Sequence, residues 1–133
     1  MDIQFILHTF VLTNRINKMD IQLKETKQFK ATGIVLGNLW MGGTATLPIK
    51  PLEAYSREEI VNEAKAKLAD GTLTGTGDFD GLIGVILNIE TTTLIIYNGK
   101  KFTNVESEIL TIGDLTDKQD EFLLDRAYYM GLL

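Results

Sequence analysis

The sequence predicts an α+β domain built as an antiparallel sheet of about four to five strands, with two or three helices on one face. Three observations carry this. Apolar residues alternate with polar ones through most of Ile21–Pro51. Two segments, opening at Ser56 and Thr116, carry helix-start signatures. An Asn98-Gly99 pair stands between two strand-like stretches, as in a two-residue hairpin.

The elements follow in order. Met1-Asp2-Ile3-Gln4-Phe5 returns as Met19-Asp20-Ile21-Gln22-Leu23, a match too short for a repeat architecture. Residues 1–18 are read as an N-terminal extension or an extra strand over 3–12, and residues 19–133 as one domain. Phe29, Ala31, Gly33, Val35, Gly37 and Leu39 share one face of a long strand. Gly42-Gly43 is suited to a tight hairpin, and Ala45, Leu47 and Ile49 alternate on the return. Pro48 has no N–H to give a neighbour, which assigns that return strand to an edge.

Ser56 with Glu59 three residues on reads as a capping box, and Tyr55 with Ile60 as a hydrophobic staple. Ile60, Val61, Ala64 and Leu68 mark one helical face, Glu63 and Lys67 an i,i+4 pair, and Gly71 a stop, so the spacing predicts a helix over 57–70. Thr72–Gly81 reads as a loop. Leu82–Ile89 fits a buried strand or a short helix capped by Asp78 or Asp80, and helix is the expectation. Thr92–Tyr97 and Lys101–Ile112 are the arms of the Asn98-Gly99 hairpin, with a bulge expected near Asn104. Thr116 and Gln119 cap a last helix striped by Phe122, Leu123, Ala127 and Met130.

Composition narrows the function. The 133 residues carry 13 basic and 18 acidic side chains, for a net charge of −5, with no polybasic run. Direct binding of duplex nucleic acid is therefore not expected, because phosphates are met by clustered Lys and Arg. An acidic surface suits another protein with a basic surface. No apolar stretch is long enough to span a membrane, and no secretory signal is expected. With no cysteine, a reducing, cytoplasmic setting is expected.

Catalysis is not expected either. His8 is the one histidine and no cysteine accompanies it, so neither a His-based nucleophile system nor a His/Cys zinc site is available. The loop Gly75-Thr76-Gly77-Asp78-Phe79-Asp80-Gly81 has glycines and carboxylates. It is neither G-x-G-x-x-G nor a P-loop, and counted from Asp70 it puts Gly81 where an EF-hand needs its Glu. No cofactor and no metal is expected, and the simplest role for the two Asp is capping.

Two sets of binding residues remain. Trp40 and Met41, beside the hairpin glycines, and Tyr128 and Tyr129, near the C-terminus, are either sheet or subunit packing or anchors for a protein partner. Arg57, in a first helical turn, with Tyr97, Asp78 and Asp80, would line a site for a small anionic ligand such as a nucleotide signal. Self-association is compatible with both.

Three stretches carry a resemblance: Lys30–Gly43 with its Gly-Asn-Leu-Trp-Met-Gly-Gly, the Asp-Phe-Asp-Gly-Leu-Ile-Gly segment, and Ile112–Leu123 with its Gly-Asp-Leu-Thr-Asp-Lys-Gln. In layout the chain resembles small acidic proteins carried by phages and mobile elements of Gram-positive bacteria. That resemblance implies a host-interaction or anti-defence role, and beside the missing catalytic set the expectation is a non-enzymatic protein-binding module, such as an inhibitor of a host enzyme that targets nucleic acid. It supplies no catalytic motif.

Overall fold

The computed structural model describes residues 23–74 and 79–132. The expected extension, its repeat and His8 lie outside the described residues, as does the Met19 boundary. Strands β1 (Leu23–Leu39), β2 (Thr44–Pro48), β3 (Leu52–Ala54), β4 (Phe79–Tyr97) and β5 (Lys100–Gly113) accompany helices α1 (Arg57–Asp70) and α2 (Asp117–Tyr129). The sheet is antiparallel with order β2-β1-β4-β5, and β3 pairs with β1 beyond β2. The α+β class and the strand number agree with the sequence.

The helices do not share a face. Ala31, Val35, Val85, Leu87 and Ile89 cluster with Ile60 and Ala64 of α1. Ile34, Leu36 and Ile86, which alternate with them along the strands, cluster with Leu123 and Ala127 of α2. Alternating side chains project to opposite faces, so α1 and α2 cover opposite sides of the β1–β4 pair. The expectation of helices on one face is corrected by this alternation.

The same geometry overturns the expected helix at Leu82–Ile89. That run lies inside β4, paired residue by residue with β1 from Gly33↔Leu87 to Leu36↔Gly84. It lacks period-2 alternation because a strand buried on both faces is apolar at every position. No third helix occurs among the described residues. Gly33 permits the close β1–β4 approach, since a Cβ there would run into the Ile86 carbonyl oxygen.

Turn and cap chemistry behaves largely as read. Asn98 (φ 53°) and Gly99 (φ 79°) close the β4–β5 hairpin, with Tyr97 opposite Lys100. The hairpin has unbroken register, so the bulge expected near Asn104 is absent. The irregularities fall instead between β1 and β4, at Leu36/Gly37 and Asn38/Leu39. Ser56 Oγ accepts the Glu59 N–H at 3.1 Å, and Gly71 ends α1 at φ 80°. The Glu59 carboxylate takes the Tyr55 N–H at 3.4 Å, so the box is not reciprocal. The expected staple also fails: Tyr55 is 84% exposed while Ile60 is fully buried. Glu63 and Lys67 pair at 3.0 Å. At α2 the box is complete, Thr116 Oγ1 accepting from Gln119 N at 3.2 Å and Gln119 Oε1 from Thr116 N at 3.0 Å.

Pro48 sits at the end of edge strand β2, as its missing donor requires. Lys50 N–H leaves the sheet to bond Leu73 O at 3.1 Å, tying the break between β2 and β3 to the end of the α1 segment.

Candidate protein-binding surface

The expected anchors are exposed but fall in two places. In the β1–β2 turn, Gly42 N–H bonds Leu39 O and Leu39 N–H bonds Gly43 O, both at 3.0 Å. Gly42 and Gly43 both take positive φ, so the chain reverses with Trp40 and Met41 at its outermost point. They are 69% and 90% exposed.

Tyr128 and Tyr129 close α2 at 71% and 82% exposure, with rings edge to face and centroids 6.3 Å apart. The C-terminal end of α2 is fixed to the sheet where Asn88 Nδ2 donates to Leu132 O at 2.7 Å. Asn88 pairs with Thr32 of β1, eight residues before Trp40. At about 3.3 Å per strand residue, Trp40 lies roughly 25 Å along the strand from the point where this end of α2 is fixed.

The fuller surface belongs to α2. Leu123 and Ala127 are buried, which turns the rest of the helix outward. Phe122, Leu124 and Met130 are exposed beside the two tyrosines. At 100° per residue, Phe122 and Tyr129 fall on one flank and Leu124 and Tyr128 on the other. Asp117, Asp120, Glu121 and Asp125 outnumber Lys118 and Arg126 on the same helix. The acids Asp117 and Asp120 sit in the first turn and Arg126 in the last, which also suits the helix dipole. Phe122 and Met130 are expected in the apolar stripe of α2, yet both are exposed. For Phe122, the one-residue offset from Leu123 is the signal in the sequence that it points elsewhere.

Of the residues expected to hold a small ligand, the described ones, Arg57, Tyr97 and Asp80, are not brought together. Arg57 is engaged by Glu108 of β5, Nε to Oε1 at 2.8 Å and Nη2 to Oε2 at 2.7 Å. Hydrogen bonding and charge from Glu108 raise the Arg57 pKa, and hydrogen bonding from Arg57 lowers that of Glu108. Glu108 stands opposite Ile89, eight residues along β4 from Tyr97, a span of roughly 25 Å. Asp80 is the second residue of the same strand, at its other end. Asp78 lies outside the described residues.

Asp80 borders an open groove of about 370 Å³, which also includes Lys65, Asp70 and Asp114. Asp70, exposed at the end of α1, bonds forward to Thr72. Its Oδ1 accepts from Thr72 Oγ1 at 2.5 Å and Thr72 N at 2.9 Å, and these bonds lower its pKa. No group of three or more His, Cys, Asp or Glu among the described residues is placed to hold a metal ion. A smaller polar cleft of about 230 Å³ is formed by Lys30, Thr32, Asn88 and Glu90 on the α2 side of the sheet.

No family model matches the chain, and neither a curated protein nor a solved structure matches it. No helix among the described residues is long and apolar enough to cross a membrane.

Proposed function

We propose that the chain is a non-enzymatic protein-binding module that engages its partner through the outer surface of α2. One observation carries this reading: Phe122, Leu124, Tyr128 and Tyr129, with Met130 at the C-cap, are all exposed on a helix whose charges are predominantly acidic. Aromatic side chains bury large area at low entropic cost, which makes them common anchors. Acids around them select a partner with a basic rim and an apolar pocket, and exclude a bare phosphate backbone. The narrower proposal is an inhibitor of a nucleic-acid enzyme, whose phosphate-binding groove offers such a surface. The Trp40–Met41 turn is a second, separate contact.

The test is comparative capture. Wild-type chain, a Tyr128→Ala/Tyr129→Ala variant and a Trp40→Ala variant are immobilised and exposed to the same host extract at low and high salt. A basic partner held by the wild type, lost with the double tyrosine variant and weakened by salt is the expected result. Identical sets of bound proteins on wild type and tyrosine variant would contradict the α2 assignment.

A further inference from the structure

The two edges of the sheet are treated differently by the sequence. The β2–β3 edge is broken into strands of five and three residues, with Pro48 and Pro51 beside the break. Such an edge is poorly suited to pairing with another chain. The β5 edge is the reverse. It runs 14 residues without proline and without a register shift, and Lys100–Ile109 is exposed throughout.

The hairpin turn decides which β5 groups face outward. A two-residue turn makes its flanking residues, Tyr97 and Lys100, a hydrogen-bonded pair. Even-numbered residues of β5 therefore turn their amides toward β4. Lys101, Thr103, Val105, Ser107 and Ile109 present their N–H and C=O groups outward.

The charges along this edge are segregated, with Lys100 and Lys101 at the turn end and Glu106 and Glu108 further on. A parallel neighbour in register would set like charges side by side. An antiparallel copy sets them opposite.

We propose that two copies of this chain pair antiparallel through their β5 edges, with Lys100 of each opposite Glu106 of the other and Thr103 facing its counterpart across the two-fold axis. Thr103 then exchanges backbone hydrogen bonds with itself, and Lys101 with Val105, using the outward-facing groups. Phe102 and Asn104 stand opposite each other on the α1 side of the sheet. A slide that centres the axis on Glu106 would put two carboxylates in contact, and one centred on Asn104 would set Lys100 against Glu108, which Arg57 already holds.

Sedimentation velocity on the full chain from micromolar to several hundred micromolar tests this, with circular dichroism as the folding control. The wild type is expected to dimerise. Thr103→Pro removes an outward N–H and leaves the β4 ladder intact, so it should be a folded monomer. Lys100→Glu should weaken the dimer by about tenfold, and Lys100→Glu with Glu106→Lys should restore it. A wild type monomeric at every concentration overturns the proposal. So does a dimer that survives Thr103→Pro in folded form, or one that Lys100→Glu leaves unchanged. If Thr103→Pro does not fold, the charge reversal and its rescue decide alone.

Discussion

Arg57 and Glu108 form a two-bond ion pair, 2.8 and 2.7 Å long, that fastens the first turn of α1 to the middle of β5. It joins residues 51 apart in sequence. It also occupies the arginine that the sequence offers as an anion grip. Both side chains are nearly half exposed, so water and salt screen the pair. Glu108→Gln is expected to lower the urea midpoint slightly at low ionic strength, with the difference shrinking in high salt. Denaturation of wild type and variant at both salt levels checks it.

The acid limb of stability follows from the same pair and from Asp70. Glu108 and Asp70 both have folded-state pKa values below the ordinary carboxylate range, through hydrogen bonds from Arg57 and Thr72. A lowered folded pKa means the unfolded chain binds protons first. The stabilisation is therefore complete above the unfolded values and is lost as pH falls through the folded ones, below the ordinary carboxylate range. Glu108→Gln and Asp70→Asn should each flatten stability against pH in that window. An unchanged slope would remove these groups from the explanation.

Gly33→Ala should be more damaging than Gly84→Ala. The added methyl at Gly33 would collide with the backbone carbonyl of Ile86, which is fixed in the sheet. At Gly84 it would come within 2.6 Å of Leu115 Cγ and Cδ2, a half-buried side chain rather than fixed backbone, and 2.9 Å of Ile112 O. Overpacking of this kind costs about 1–3 kcal/mol, and Gly33 should stand at or above the upper end. Thermal unfolding of the two variants ranks them.

The two cap regions should also separate. Thr116→Ala removes the hydroxyl that accepts the Gln119 N–H, and is expected to cost about 1 kcal/mol. Tyr55→Ala should be close to neutral, within about 0.5 kcal/mol, because that ring packs on no staple. Equal losses at both positions would show that Tyr55 has structural work outside the cap.

Local chemistry was the legible part of this fold. The span of α1, both caps, the Asn98-Gly99 hairpin and the edge position of Pro48 all follow from interactions within a few residues. Leu82–Ile89 was not legible, because its continuous apolar pattern results from helices on two faces, and that arrangement is set by distant segments. The aromatic anchors were legible as residue types. Their separation into two sites, and the loss of Arg57 to Glu108, depend on strand register across the whole sheet.

Methyl–methyl nuclear Overhauser effects across the central strand are the most direct test of this architecture. Ile86 should show contacts to Leu123 and Ala127 of α2, and Val85 and Leu87 should show contacts to Ile60 and Ala64 of α1. Contacts from both helices to the same set of β4 residues would contradict a strand buried between two helices, and with it the outward placement of the α2 surface.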